Sequence, residues 1–209
     1  MNSAWKASLL VAVLLLAGVV ISTQLISQEK TDAQQQEEGD WMDMMSQWQK
    51  MNSLGKEHER FKKMVGIWDV NSKMWFAPGM EPVESKGHAE MRLILGGRYI
   101  EQKYECPMMG MPYQGLGFEG YDKIKKKYVS IWMDSMGTGI FYSEGTADET
   151  GKVFTYIGKM DDPFSGEKDK PVKSVGREIN DDKVVFEMYE TRPDVGEYKS
   201  MELTYTRRK

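Results

Sequence analysis

Val83-Glu84-Ser85-Lys86-Gly87-His88-Ala89-Glu90-Met91-Arg92-Leu93-Ile94-Leu95 is the stretch that decides the fold. Val83, Ser85, Gly87, Ala89, Met91, Leu93 and Leu95 alternate with Glu84, Lys86, His88, Glu90 and Arg92. A period of two puts alternate side chains on opposite faces of a strand, so one face is buried and the other wet. On this register Ala89 and Met91 point inward, and His88 falls among the charged residues outside. Ser85, Gly87 and Ala89 are small, so the inner wall is expected to leave space here, as a ligand cavity requires.

Working outward, short runs rich in Val, Ile, Tyr, Phe and Trp recur about every ten residues, at 67–76, 83–95, 98–106, 116–122, 127–135, 140–148, 152–160, 172–180, 183–191 and 198–207. Ala77-Pro78-Gly79, Gly96-Gly97, Asp148-Glu149-Thr150-Gly151 and Asn180-Asp181-Asp182 are turn-forming connections between them. None is long enough for a helical crossover, which leaves an antiparallel up-and-down sheet. A sheet of ten strands curls, and closure removes its edges. The fold class is therefore all-β, a closed antiparallel up-and-down barrel preceded by short helices and an N-terminal apolar helix.

Ahead of the barrel, Lys6 precedes an uncharged apolar run from Ala7 to Ile21, the basic-then-hydrophobic order of an export signal. Residues 1–26 read either as a signal peptide cleaved near Val20-Ile21-Ser22 or as a membrane-spanning anchor continuing through Leu25 and Ile26. Lys6 before it and Glu29, Asp32, Glu37 and Glu38 after it place the body outside the membrane. Residues 27–40 are almost devoid of apolar side chains and read as a disordered linker. Trp41, Met44, Met45, Trp48 and Met51 then recur at helical spacing. That face either packs on the barrel, covering its mouth, or serves a membrane surface or a partner. After a break at Asn52-Ser53-Leu54-Gly55, a second helix carrying His58, Phe61 and Val65 on one side is positioned to plug the barrel. The helical segment is 41–65 and the barrel domain 66–209.

Composition excludes several classes of function. Lys and Arg number 28 against 32 Asp and Glu, giving a net charge of −4, so no broad positive field invites nucleic acid. The basic run Lys123-Ile124-Lys125-Lys126-Lys127 falls between two strands and reads as a solvated hairpin tip. One cysteine, Cys106, permits no internal disulfide, and two histidines are too few for a zinc or iron hydrolase. Met108-Met109-Gly110-Met111 beside Cys106 has the soft sulfur ligands that suit Cu(I), but methionine is equally the flexible lining of an apolar mouth. Haem held through a histidine, as in some small ten-stranded barrels, finds none in the late strands. Asp134-Ser135-Met136-Gly137-Thr138-Gly139 is not a nucleophile elbow but a turn. No metal or cofactor is expected.

Gly66-Ile67-Trp68 opening the first strand and Tyr205-Thr206-Arg207-Arg208 closing the last are similar to the lipocalin-like superfamily. That resemblance implies a guanidinium stacked on an indole at the closed end, Arg207 on Trp68. Glu84-Ser85-Lys86-Gly87, Ile94-Leu95-Gly96-Gly97-Arg98, Met108-Met109-Gly110-Met111-Pro112, Trp132-Met133-Asp134-Ser135-Met136-Gly137-Thr138-Gly139 and Phe186-Glu187-Met188-Tyr189-Glu190-Thr191 resemble, more closely, the bacterial family known as domain of unknown function 1579. The resemblance runs from Glu57 to Arg208 and implies a barrel with an open choice of ligand.

The functional reading is an exported or membrane-tethered barrel binding an apolar small molecule. Its expected lining is Ala89, Met91, Met108, Met109, Met111, Tyr113, Trp132 and Tyr142, with the Cys106–Tyr113 segment folded over the mouth as a lid. Tyr142, Glu144, Arg177, Glu187, Glu190 and Glu202 stand on strands of ambiguous facing. An inward carboxylate among them would instead suit a barrel enzyme working by proton transfer. A third reading is an envelope interaction module working through the Trp/Met helix. With one Cys and two His, the barrel must fold by packing alone, so chelator and reductant should leave the melting temperature of the protein unchanged; a drop of many degrees in a thermal melt with chelator would refute this.

Overall fold

The computed structural model describes residues 28, 30, 31, 34–162 and 166–209. The chain divides into two compact units, 1–53 and 54–209. In the first, residues 34–51 form one helix, α1, with Trp41, Met44, Trp48 and Met51 exposed along it. The stretch expected as a disordered linker is thus helical over its described residues 34–40. Gln and Glu are good helix formers, and lack of an apolar face does not remove that propensity. No described helix is long and apolar enough to cross a membrane, and the apolar run of residues 7–21 lies outside the described residues.

The second unit opens with a 3₁₀ turn, Lys56–His58, and α2, Glu59–Met64. Ten strands follow: β1 Gly66–Met74, β2 Val83–Ile94, β3 Tyr99–Met108, β4 Met111–Asp122, β5 Lys127–Asp134, β6 Phe141–Ala147, β7 Val153–Met160, β8 Lys170–Asn180, β9 Lys183–Arg192 and β10 Gly196–Arg207. Each pairs antiparallel with its neighbours in sequence, and β1 pairs with β10, closing the barrel. Alternation along β1 and β2 puts Trp68, Val70 and Ser72, then Ala89 and Met91, inside. His88 lies outside with half its side chain exposed, 3.8 Å from Glu105.

One end of the barrel is sealed by α2. Phe61 is fully buried, and Trp68, 2% exposed, donates from Nε1 to the Met64 carbonyl at 2.9 Å. Arg207 lays its guanidinium over the Trp68 ring, Cζ 4.2 Å from the centroid. The same guanidinium donates to the carbonyls of Lys63 and Val65 at the end of α2, groups that a helix C-terminus leaves without partners. Arg208 turns outward to Asp69.

The inward glycines of β4, β6 and β7 are filled rather than vacant. Trp132 lies against Gly115 and Gly117 so closely that a Cβ at either would overlap its ring; Tyr156 does the same at Gly145 and Phe141 at Gly158. Gly87 is small because β3 passes close, its Cβ position being occupied by the Glu105 carbonyl and the Cys106 side chain. Ser85 is hydrogen-bonded to Ser72 at 2.7 Å. The space expected beside β2 is therefore not there. It opens at Gly176 on β8, where an added Cβ would meet nothing within 4 Å.

Replacing Trp68 by Ala removes a large buried aromatic and the surface on which Arg207 rests. The expected loss is about 3–5 kcal/mol in chemical denaturation, and a near-neutral effect would show that closure does not depend on this pair.

Candidate functional site

Strand alternation carries a polar chain through the barrel interior. At the closed end Arg60 of α2 enters between aromatic rings, its Cζ 3.7 Å from the centroid of Phe154 and 5.2 Å from that of Tyr128. It ion-pairs with Glu119 of β4 and, at 2.9 Å, with Glu178 of β8; the Tyr156 hydroxyl also donates to Glu119. Burial opposes the Arg60 charge, but the two carboxylates outweigh it and its pKa is raised. Burial and the adjacent Glu119 push Tyr156 far up. His58 is buried beside this floor; its Nδ1 accepts from the Gly55 N–H at 3.1 Å and its ring meets Phe61 and Tyr121 edge-on.

Toward the other end, the inward side of β3 presents Tyr104, Cys106 and Met108. The Tyr104 hydroxyl, buried with Ser72 and Cys106 beside it, has no hydrogen-bond partner. The Ser174 hydroxyl on β8 is likewise buried and unpartnered. β3 and β8 stand five strands apart in either direction around the barrel, so these two groups lie on opposite walls. An unpaired buried hydroxyl costs about 1–3 kcal/mol. Nearer the rim, the Tyr113 hydroxyl donates to Asp134 Oδ2 at 3.1 Å, and Trp132 Nε1 donates to both, at 3.2 and 3.3 Å. Lys170, 5% exposed at the start of β8, reaches Glu190 at 2.7 Å and Asp162 at 3.2 Å. Burial works against its charge, and those carboxylates override it, raising the pKa.

Of the lining expected from sequence, Ala89, Met91, Met108, Tyr113 and Trp132 stand on the inner wall. Met111, opposite Met108 in the β3–β4 register, shares that inner face but stands at the rim about half exposed, whereas Met109 and Tyr142 do not face the interior. Met109 and Gly110 form a two-residue turn with φ of 49° and 80°, and pairing continues to Met108 opposite Met111. Left-handed conformation at both central residues is what a tight type I′ hairpin requires. Met109 and Met111 are accordingly about half exposed at a hairpin tip, and the segment is no lid. Tyr142 faces outward and donates to Glu144 at 2.8 Å. Glu144 also meets Lys125 and Lys127, contacts that lower its pKa to about 2. Glu187 pairs outside with Arg177 and Lys199, Glu202 joins Lys199, and only Glu190 of that ambiguous group is held by an inward lysine.

The sequence alone assigns no role to Arg60, Glu119, Glu178, Tyr104, Asp134 or Lys170. A signal is present at Glu119, which in Gly115-Leu116-Gly117-Phe118-Glu119 shares a face with the two glycines that Trp132 covers. Among the described residues, no three His, Cys, Asp or Glu converge as a metal site.

Residues 53–207 match the family described as protein of unknown function, DUF1579. The chain belongs to the DUF1579 family. No curated protein matches it. Two solved structures share the barrel of this DUF1579 protein. Rv2717c from M. tuberculosis is 13% identical with a TM-score of 0.55, covering 75% of this chain and 100% of its own. The S-type phycobiliprotein lyase CPES from Guillardia theta is 13% identical with a TM-score of 0.53, covering 72% and 92%. At that identity the likeness shows the barrel fold alone.

The inner phenols of the DUF1579 barrel give a pH test. Burial raises Tyr104, Tyr113 and Tyr156, and takes Tyr128 and Tyr205 up to about 12. These groups deprotonate more readily unfolded, near pH 10, than folded, so stability falls as pH rises above about 10. Spectroscopic titration should show these five ionising only as the barrel unfolds. Smooth ionisation of all ten tyrosines in the folded protein would contradict their burial.

Proposed function

We propose that this DUF1579 protein is an exported, or N-terminally membrane-tethered, barrel that holds an apolar small molecule in its lumen. The carrying observation is the pair of unpartnered buried hydroxyls, Tyr104 and Ser174, on opposite inner walls. Around them the lining is apolar or aromatic, including Met91, Tyr113, Trp132 and Leu203. Such a wall suits a ligand with an apolar body and few polar atoms, whose hydrogen bonds would satisfy groups the protein leaves open. Gly176, two residues from Ser174 on the same face of β8, borders open space the body can occupy. The apolar run from Ala7 to Ile21 after Lys6 supports delivery across or into a membrane.

A side chain grown into that space should compete with the ligand. Gly176→Leu in the full-length protein is expected to keep the thermal melt within a few degrees of the parent while weakening uptake of the uncharged dye N-phenyl-naphthylamine by about tenfold or more. Equal uptake by a folded variant would overturn the lumen reading.

A further inference from the structure

The charges that face the lumen are unbalanced. At the floor one cation, Arg60, meets two carboxylates, Glu119 and Glu178. Near the rim one cation, Lys170, meets Glu190 and Asp162. Asp134 has no cationic partner among the described residues. Its Oδ2 accepts from Tyr113 and Trp132 and its Oδ1 from the Met136 N–H, all of them neutral donors. Neutral donors hold a carboxylate in place without cancelling its charge, and that charge reaches further in a low-dielectric lumen than in water. The groups around it are aromatic: Trp132 lies over Gly115 and Gly117, and the Tyr113 ring stands 5.9 Å from that of Tyr104. The faces of such rings carry negative potential and attract cations. Below them lies the buried, unpartnered Tyr104 hydroxyl, an independent mark of a place where a polar atom is missing.

Resting on the lumen reading above, we propose that the ligand is an amphiphilic cation: an ammonium-type head held by Asp134 between Trp132 and Tyr113 near the rim, and an apolar body running down the lumen. A fatty-acid-type anion is the wrong sign for this site. Its head would face Asp134, while the lumen cations Arg60 and Lys170 each already carry two carboxylates.

The test uses full-length protein loaded with N-phenyl-naphthylamine, displaced by dodecyltrimethylammonium or by dodecyl sulfate, the same chain with opposite heads, each below its micelle concentration. The cation is expected to displace the dye at a concentration lower by about tenfold or more. Asp134→Asn should abolish most of that preference while dye binding persists; Asp134→Ser serves if the first variant does not fold. Glu144→Gln, which removes one carboxylate from the outer surface, should retain it. Equal displacement, preference for the anion, or a preference that survives both neutral substitutions of Asp134 would overturn the proposal, the last assigning the effect to the net charge of −4. Failure of the dye to enter in a way that Gly176→Leu blocks would instead sink the lumen reading, and the charge proposal with it.

Discussion

Everything in the barrel depends on the contact between its first strand and its last. β1 and β10 are separated by the whole sheet in sequence, so their pairing carries the largest loop-closure cost of any in the fold. Arg207 is where that pairing is secured. Its guanidinium lies over Trp68 of β1 and donates to the carbonyls of Lys63 and Val65 just before that strand. A cation–π contact contributes about 0.5–1 kcal/mol where exposed and about 2 kcal/mol where desolvated, with the partly exposed Arg207 between the two, and its hydrogen bonds to the two carbonyls add to this. One side chain thus ties the last strand to the first and satisfies the open end of α2. Lysine would hold the charge but not the flat fork that makes stacking and several hydrogen bonds compatible.

The same contact fixes what sits on the barrel floor. Once α2 is held by its C-terminal carbonyls, Phe61 and Arg60 are directed into the interior, and Arg60 meets carboxylates from β4 and β8. Burying an ion pair is often no more stabilising than packing apolar side chains of the same volume, whereas removing one partner is severe. The arrangement makes the helix specific for one seat, because no other register of α2 would bring its guanidinium between Glu119 and Glu178. It also gives the lumen a polar floor under aromatic walls.

Parts of this are legible in sequence because a strand with one wet and one dry face must alternate. β2 alternates without interruption, and from it the facing of Ala89, Met91 and His88 follows. β4 does not: Gly115, Gly117 and Gly120 carry no facing signal, so Glu119 reads as an ordinary wet residue until Trp132 is seen lying across two of the glycines. Lys170 falls just outside the strand expected at 172–180, and its inward pairing with Glu190 is hidden with it. The Met108–Met111 segment misleads for a different reason. Its composition asks for burial, but Met109-Gly110 is a two-residue reversal, and a hairpin tip of that length has no reach across a barrel mouth. Turn geometry outranks hydrophobicity over so few residues. Residues 34–40 mislead in the opposite sense, since their polarity suggests a linker while Gln and Glu favour the helix that forms.

Stability alone does not account for the interior that results. Phe at position 104 would fill the same volume without an unpaired hydroxyl, and Ala at position 174 would remove another. Each replacement recovers a desolvation cost on the order of 1–3 kcal/mol at no steric penalty. Asp134 adds an uncompensated charge close to the same wall, held by three neutral donors where a packed core would carry none. On the opposite wall, Gly176 leaves room that any larger residue of matching conformation would fill. Unpaired hydroxyls, an unneutralised carboxylate and a vacant glycine face are all costs to folding, and all border one lumen. The same features become favourable together only when a molecule with an apolar body and a polar head occupies the space between them, which is why recognition explains this interior better than packing does.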